Sequence, residues 1–551
     1  MRAFDLLTHA GRARDILAVL GRHGFAEWLG QLDLPSGFLQ KLLPHPPSER
    51  TTEERIRLAA EELGPAFVKL GQFMSMRPDV LPQRFILELR KLQSSVQPLP
   101  YATMKPVLVA ALKGDPAEVF AGFDETPVAA ASLAQVYAAR LRGDGRPVAV
   151  KVLKPDIRHT MQIDLDFVQW LAEQLHQRSD VLRPYHLPDV VAEARRGMLA
   201  ELDFRHEARN QQYFNVLNPR PGEVYAPAVH PDFSSETVLV MDFVAGENVA
   251  ASTAPPEVRR EIAARGARSL VRQVLVDGFF HADPHAGNVV IAADQRLCFL
   301  DWGLVGHLTQ RLRFALADFW EAAVTQDAER VVQIAASLAP PDARPDLREM
   351  EKDVTLALRE ELNFTVGRQE LGRAMLRLLN VFGRHGIALT RDYAFMAKAV
   401  LSIEEVGRAL DPTFDLRAHT QPILREVYLG RVGPRATVRR MRAALRDTLA
   451  ALHDMPAELH RLVRRLEHDD FTVNFHHRGL DGLDEALKVA ANRVALGVII
   501  GSLIIGSSMI VTTGIQPLLF GYPALGIVGY LISALLGLYV IWSIFRHNGH
   551  R

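Results

Sequence analysis

The sequence predicts an α+β protein with a small mixed lobe, a larger helical lobe and two apolar helices at the C-terminal end. Three observations support this prediction. Alternating and β-branched runs cluster in residues 125–250, helical periodicity dominates residues 251–430, and two long uncharged runs follow. The 551 residues carry 64 basic and 64 acidic side chains, which excludes the strongly basic surface typical of nucleic-acid-binding proteins.

The N-terminal part is predicted to be helical. Residues 1–50 indicate short helices that end in a proline-rich linker, because proline removes a backbone donor and restricts φ. Thr51 and Glu54 have the spacing of a capping box, so we expect one long amphipathic helix to begin there, within a helical extension over residues 51–124. Lys69 and Gln72 lie three residues apart on it and should project to the same side.

Residues 125–250 are predicted to form the small lobe around a β-hairpin. Lys151 lies in the middle of its second strand, and a lysine with apolar strand neighbours can be held where its ammonium reaches nucleotide phosphates. Its usual partner is a glutamate on a helix. Glu201 and Glu207 are both candidates, and we favour Glu201.

A further strand over residues 237–243 leads into a glycine-containing connection. This connection could be a hinge between the lobes. We expect the backbone groups of Asp242 and Val244 to pair with the adenine of a bound nucleotide there. A plain edge strand is the alternative.

The clearest catalytic signal lies in residues 281–288, with the sequence HADPHAGN, and in the Asp301-Trp302-Gly303 turn that follows. Phosphoryl transfer requires oxygen ligands for Mg²⁺ and a carboxylate that orients the attacking hydroxyl or water. Asp283 can be that carboxylate, and Asn288 and Asp301 can be the metal ligands. A loop that only turns the chain is the alternative.

Residues 494–513 and 523–545 hold no charged side chain, and each is long enough as a helix to cross the roughly 30 Å apolar core of a bilayer. Arg493 and Arg546 flank the pair, so the positive-inside rule places both ends in the cytoplasm. Residues 431–493 are predicted to be a helical juxtamembrane region. A buried helical hairpin of a soluble protein is the alternative.

Together these motifs resemble the protein-kinase-like superfamily, and two further motifs narrow the resemblance. An alanine-rich stretch, residues 129–136, stands where kinases carry a glycine-rich loop, and Lys69-Leu70-Gly71-Gln72 lies on the helix after the linker. This combination resembles the UbiB family of atypical kinases over roughly residues 50–430, and the C-terminal hairpin matches the bacterial layout of that family.

The resemblance implies a bilobal protein-kinase-like fold and the use of ATP and Mg²⁺ in support of ubiquinone biosynthesis. It also implies the bacterial inner (cytoplasmic) membrane as the location, with the catalytic region in the cytoplasm. The implied partners are ATP, a lipid or quinone-precursor ligand, the membrane and ubiquinone-biosynthesis enzymes.

The resemblance also implies a role for each motif residue. Asp283 would be the catalytic aspartate and Lys151, with a glutamate such as Glu201, the phosphate-contacting lysine. Asn288 and Asp301 would bind the metal ion. The remaining implied nucleotide-loop contacts are Ala131 and Ser132, and the implied cleft-plugging pair is Lys69 and Gln72.

Two other functions remain open at this stage. The loop also resembles that of small-molecule phosphotransferases, and a pseudokinase scaffold of a membrane complex could keep the same fold. The Lys-x-Gly-Gln segment and the hairpin favour a UbiB-like function over a small-molecule phosphotransferase. A pseudokinase scaffold is disfavoured because the catalytic set is intact: Lys151, Asp283, Asn288 and Asp301.

Overall fold

The computed structural model describes residues 10–25, 50–75, 77, 81–92, 97–178, 187–339, 344–361, 370–387, 389, 391–432 and 483–548, together with five isolated positions between 441 and 455. Most of the predicted N-terminal linker and of the predicted juxtamembrane region lies outside these residues. The chain divides into two compact units, Met1–Arg439 and Arg440–Arg551.

The described residues before position 97 form the α-helices α1 (Ala10–Leu20), α2 (Thr52–Leu63), α3 (Pro65–Met74) and α4 (Gln83–Leu89). The predicted capping box is present, with Thr51 and Glu54 bonded reciprocally. The prediction of one long helix is wrong, because α2 ends at Leu63 and the next residue, Gly64, has a φ of +101°. Glycine tolerates this backbone conformation, and Pro65, which lacks an N–H, can only begin a new helix.

In chain order, the next elements are α5 (Tyr101–Leu112), α6 (Pro116–Val119), β1 (Phe120–Phe123), β2 (Ala129–Ala130), β3 (Ala134–Leu141), β4 (Pro147–Leu153), α7 (Ile157–Arg178), α8 (Leu187–Ala200), α9 (Phe204–Leu217), β5 (Val224–Tyr225) and β6 (Val238–Asp242). The small lobe is an antiparallel sheet in the order β1-β3-β4-β6, with β2 paired to β3. The predicted hairpin is β3 and β4.

The sheet of the small lobe separates two apolar layers. Tyr137, Val148 and Val150 pack with Met104 and Leu108 of α5 on one face. The other face packs against α7, α8 and the start of α9 through residues that include Leu165, Met198 and Phe204. This second layer places α9 beside β6, the edge strand that pairs with β4.

The large lobe consists of β7 (Gly246–Asn248), α10 (Pro256–Arg272), β8 (Phe279–His281), β9 (Val289–Ala292), β10 (Leu297–Phe299), β11 (Val305–His307), α11 (Gln310–Val324), α12 (Ala328–Leu338), α13 (Leu347–Glu361), α14 (Leu371–Arg384), α15 (Arg391–Leu410) and α16 (Leu416–Val432). In this lobe β9 and β10 form an antiparallel pair within a sheet ordered β5-β10-β9-β7. The short antiparallel pair β8 and β11 was not predicted, since three-residue strands leave little periodicity.

A buried carboxylate joins two helices of the large lobe. Glu404 on α15 accepts hydrogen bonds from the backbone N–H groups of Leu371 and Gly372 at 3.0 Å, which caps the N-terminus of α14. Burial raises the pKa of Glu404 to about 7. Gly372 also allows close packing, because a Cβ there would lie 2.4 Å from the backbone of Leu401. The α15 backbone is therefore tightly held.

The C-terminal unit contains α17 (Leu483–Val511), β12 (Leu518–Leu519), β13 (Tyr522–Pro523) and α18 (Ala524–Asn548). Ala491–Val511 and Ala524–Ile541 are long and apolar enough to cross a membrane, with mean hydropathies of 2.4 and 2.2. The two predicted apolar helices are thus present. They approach closely at Gly529, where an added Cβ would lie 2.0 Å from the Ser507 hydroxyl.

Candidate active site

The centre of the site is the ammonium of Lys151. This residue lies in β4 between Val136 of β3 and Leu239 of β6, so its backbone is held on both sides. Its Nζ donates to both carboxylate oxygens of Glu207 at 2.9 Å and to Oδ1 of Asp301 at 3.3 Å. A lysine of the small lobe therefore contacts carboxylates from α9 and from the turn after β10.

The expected pairing of Lys151 with Glu201 is wrong, because the structure pairs Lys151 with Glu207. Glu201 lies in the turn after α8, and α9 begins only after Asp203, whose side chain accepts from the backbone N–H of Arg205. Glu207 is therefore on the first turn of the helix that packs beside the sheet. Glu201 instead accepts a hydrogen bond from Lys69 Nζ at 2.7 Å.

Burial and the neighbouring opposite charges shift the pKa values of Glu207 and Lys151 in opposite directions. Only 4% of the Glu207 side chain and 14% of the Lys151 side chain are exposed. Burial raises the pKa of Glu207 to about 7, although Lys151 opposes the shift. Burial lowers the pKa of Lys151, but the charges of Asp301 and Glu207 outweigh it and the net shift is upward. Lys151 therefore stays protonated at neutral pH.

Asp301 occupies a constrained turn. Its φ is +50°, in the left-handed region that residues other than glycine rarely adopt, and its Oδ1 accepts from the backbone N–H of Gly303 at 3.3 Å. Lys151 holds the pKa of Asp301 well below its usual range, against the effect of burial. Half of the side chain remains exposed, so this carboxylate is ionised and accessible.

Trp302 is a packing residue that supports this turn. It is fully buried, its indole N–H donates to the Phe299 carbonyl at 2.9 Å, and its ring stacks on Phe214 of α9 with centroids 4.4 Å apart. Asn210 of α9 donates to the Trp302 carbonyl at 2.9 Å. The turn that carries Asp301 is thereby attached to the helix that carries Glu207.

The loop after β8 positions Asp283 and Asn288. His281 is buried, and its Nδ1 accepts from the Asp283 backbone N–H at 3.0 Å, so Nε2 donates to the Leu300 carbonyl at 2.8 Å. Burial lowers the pKa of His281 and favours this neutral ring. Asn288 Nδ2 donates to the Asp283 carbonyl at 3.2 Å, which leaves the amide oxygen as a ligand atom.

The predicted nucleotide loop connects β2 and β3. The Ala131 N–H donates to the Ala134 carbonyl at 2.9 Å, and the Leu133 carbonyl accepts from the Lys154 N–H at 2.9 Å. The loop is thus attached to the end of β4, three residues beyond Lys151. Ser132 is buried and Ala131 is exposed.

The predicted hinge begins at the end of β6. The Asp242 N–H donates to the Ala228 carbonyl at 2.8 Å, so a contact with a base would use the Asp242 carbonyl. The Asp242 carboxylate accepts a hydrogen bond from His230 Nε2 at 2.8 Å. Val244 follows in the half-buried connection to β7.

The two polar side chains of the Lys-x-Gly-Gln segment contact different parts of the protein. Lys69 contacts Glu201 rather than Asp283 or Asp301, and Gln72 Nε2 donates to the Leu92 carbonyl at 3.1 Å. Positions three apart on a helix diverge by about 60°, which is enough to point them at different neighbours. Burial lowers the pKa of Lys69, but Glu201 and then Asp301 outweigh it, so that Lys69 remains charged near the cluster.

Sequence reasoning missed one residue of the site, Lys398. Its Nζ lies 2.9 Å from Oδ2 of Asp283. It is one of ten lysines in the chain and interrupts an otherwise buried stretch of α15, Tyr393–Val400. A lone lysine among apolar neighbours on a helix was the available signal. Its partner, 115 positions earlier in the sequence, could not be deduced from spacing.

The oxygen donors present fit Mg²⁺ bound together with a nucleotide. Among the described residues, no group of three or more His, Cys, Asp or Glu side chains could hold a metal ion by itself. Asp301 and Asn288 supply one carboxylate and one amide oxygen, and Mg²⁺ normally completes such a pair with phosphate oxygens and waters.

Models of known protein families match three segments of the chain. Residues 91–335 match the ABC1 atypical kinase-like domain, residues 362–415 match the UbiB helical domain, and residues 478–546 match the ABC1/UbiB kinase-like C-terminal domain. The predicted kinase-like, mixed helix and strand fold is therefore confirmed.

Curated relatives cover most of the chain. The Probable protein kinase UbiB of Xylella fastidiosa (strain 9a5c) is 33% identical over 411 residues, which are 72% of this chain and 73% of the relative. The Probable protein kinase UbiB of Xanthomonas campestris pv. campestris (strain B100) is 34% identical over 409 residues, 71% of this chain and 72% of the relative.

A solved structure, the Rv3197–erythromycin complex from Mycobacterium tuberculosis, aligns with a TM-score of 0.41 and 23% identity, covering 66% of this chain and 98% of that one.

Proposed function

Because the chain belongs to the UbiB family of ABC1 atypical kinase-like proteins, we propose that it is a membrane-anchored ATPase or atypical kinase that uses Mg·ATP and supports ubiquinone biosynthesis. Its lipid-phase ligand would be a quinone intermediate that it acts on or presents to biosynthetic enzymes. The two C-terminal helices would anchor it in a bacterial inner membrane, with the catalytic region in the cytoplasm.

The observation that carries this proposal is the contact of Lys151 with both Glu207 and Asp301. A lysine that is paired with a helix glutamate and lies beside a metal-ligand aspartate is the arrangement that phosphoryl transfer requires. Glu207 keeps the ammonium in place. Asp301 is half exposed and would hold a metal ion, while Lys151 would contact the phosphate oxygens of a bound nucleotide.

The remaining residues have roles in the same reaction. The Asp283 carboxylate accepts the proton of the attacking water or hydroxyl, whose oxygen forms a bond to the terminal phosphorus while the bond to the leaving ADP oxygen breaks. The Asn288 amide oxygen and the Asp301 carboxylate would hold Mg²⁺, which neutralises phosphate charge when bound. Lys151 contacts the phosphates of the leaving group.

The glycine-free loop and the hinge would bind the rest of the nucleotide. Ala131 and Ser132 would lie over the phosphates, and the Asp242 carbonyl and Val244 N–H would pair with adenine. Lys69, held by Glu201 near the cluster, would restrict access to the acceptor side of the cleft, which favours water or a small lipid headgroup over a protein substrate.

The test measures Mg·ATP affinity and phosphate release by the full-length protein, with and without quinone-precursor-like phenols and anionic liposomes. We expect Asp301→Asn to weaken Mg·ATP binding by about tenfold or more, because an amide replaces a charged ligand. Asp283→Asn should retain binding and lose most phosphate release. Asp232→Asn, at an exposed position of the small lobe, is the matched control.

Each outcome discriminates between functions. Phosphate release stimulated by phenols or liposomes supports the proposal. Mg·ATP binding without turnover under any of these conditions would indicate a scaffold instead. Transfer to a soluble small molecule in preference to water or lipid would indicate a phosphotransferase, and absence of nucleotide binding would refute the ATP-dependent function altogether.

A further inference from the structure

Lys398 enters the site from an element that lies outside the catalytic motifs. It is on α15, which packs against the turn Ala286–Asn288 of the catalytic loop. Its neighbours Ala397 and Ala399 are fully buried, whereas 30% of its own side chain and 27% of the Asp283 side chain are exposed. The 2.9 Å contact with Asp283 is therefore partly open to solvent.

The other lysines of the site are already engaged by carboxylates. Lys151 contacts Glu207 and Asp301, and Lys69 contacts Glu201. The catalytic loop itself contains no lysine or arginine between Asp283 and Asn288. Lys398 is thus a cation in contact with Asp283. The group that accepts the phosphate would lie beside the same carboxylate.

Phosphoryl transfer needs positive charge close to the oxygens of the transferred phosphoryl group. In the transition state, charge spreads over the three equatorial oxygens of the transferred group, and cations aimed at them provide most of the catalysis. A lysine suits this purpose because its flexible stem allows its ammonium to move several Å while its backbone remains fixed. The cap that Glu404 forms on α14 keeps the α15 backbone in place.

We propose that Lys398 is a catalytic residue that binds the terminal phosphate of ATP. Without nucleotide its ammonium rests on Asp283. With nucleotide it moves from the carboxylate to the terminal phosphate oxygens, and Asp283 becomes available as the proton acceptor. The inference rests on the proposed ATP-dependent function, and it adds a residue from the helical part of the large lobe to the catalytic set.

The contact predicts a specific difference between two nucleotides. ATP carries the terminal phosphate and ADP lacks it, so the loss of Lys398 should weaken only ATP binding. The experiment measures the dissociation constants of Mg·ATP and Mg·ADP by calorimetry, and phosphate release, for the full-length wild type, Lys398→Met, Lys398→Arg and Lys352→Met. Lys352 is an exposed lysine of α13 and serves as the control.

We expect Lys398→Met to weaken Mg·ATP binding by roughly tenfold or more, as for the loss of a charged hydrogen bond, and to change Mg·ADP binding by less than about twofold. Phosphate release should fall at saturating ATP. Lys398→Arg should recover most of the ATP affinity, and Lys352→Met should match the wild type.

Three results would overturn the inference while leaving the proposed function intact. Affinities for both nucleotides that match those of the wild type would exclude contact with the terminal phosphate. Equal loss of both affinities would indicate a structural role. Faster phosphate release in Lys398→Met would show that the lysine only restrains Asp283. If the wild type binds neither nucleotide, the proposed function fails and this inference fails with it.

Discussion

Replacement of Lys151 by methionine should extend the pH dependence of the protein's stability. In the variant, ionisation of Glu207 should still reduce the free energy of unfolding above pH 7, where the wild type has already lost this contribution. The change leaves Glu207, which is only 4% exposed, without its opposite charge. Asp301 loses the same partner but is half exposed, so water can solvate it. The consequence therefore concerns mainly Glu207, because an ionised carboxylate without a partner is costly to bury.

The direction follows from the pKa of Glu207. An acid whose pKa is higher in the folded protein than in the unfolded chain contributes stability below the unfolded pKa, and that contribution is lost as the pH rises through the folded pKa. In the wild type the loss extends from the ordinary value of 4.5 to about 7. Lys151 opposes the upward shift, so its removal moves the folded pKa above 7 and prolongs the loss.

The magnitude is about 1.4 kcal/mol for each pH unit between 7 and the new pKa of Glu207. The stability difference between Lys151→Met and the wild type should be small near pH 6 and grow to a few kcal/mol near pH 9, with the 3–5 kcal/mol cost of breaking a buried ion pair as a rough upper bound. The raised pKa of Lys151 contributes stability that is constant below its ordinary value of 10.5 and is lost only above it, so it adds no pH dependence within this range.

Thermal unfolding of the full-length protein in detergent between pH 6 and 9 measures this effect. The double variant Lys151→Met/Glu207→Gln should lose the slope and be more stable than Lys151→Met at pH 9. Lys352→Met should follow the wild type throughout. A difference between Lys151→Met and wild type that does not change with pH would refute the reasoning, as would a double variant no more stable than the single one.

Three further predictions concern the fold. Gly372→Ala should destabilise the protein by roughly 1–3 kcal/mol because its Cβ would overlap the backbone of Leu401. Gly430→Ala, on a helix with open space, should be neutral or stabilising. Thermal unfolding compares the two, and equal effects would contradict the packing. Cys298 is fully buried, and burial raises its pKa to about 12, so a maleimide should label it at pH 8 only after denaturation. A chain that ends at Ala490 should be extracted from membranes by carbonate, whereas the full-length protein should stay with them.

Much of the fold follows from local pattern. The capping box at Thr51 depends on residues within one helical turn. The β3–β4 hairpin around Lys151 depends on two neighbouring strands, and each apolar C-terminal helix depends on its own residues. Such patterns determine local hydrogen bonding and burial, and so they can be deduced from spacing. The helix break at Gly64-Pro65 has the same local origin, although the prediction continued the helix through it.

The catalytic motifs are also local, since Asp283, Asn288 and Asp301 lie within nineteen positions of each other. Their spacing indicates a chemistry without knowledge of the packing. What the spacing could not determine was which charged side chains meet them. Glu201 and Glu207 are both possible partners of Lys151 when only their order along the chain is known, and the one that we favoured, Glu201, is not the one that pairs with it.

The tertiary structure decided those pairings. α9 begins after Glu201, so Glu207 faces Lys151. Glu201 instead pairs with Lys69, which lies on another helix 132 positions earlier in the sequence. Lys398 reaches Asp283 because α15 packs against the catalytic loop. An ion pair acts over only a few Å and falls steeply with solvation, so it depends on how distant elements pack together and leaves no periodic trace in the sequence.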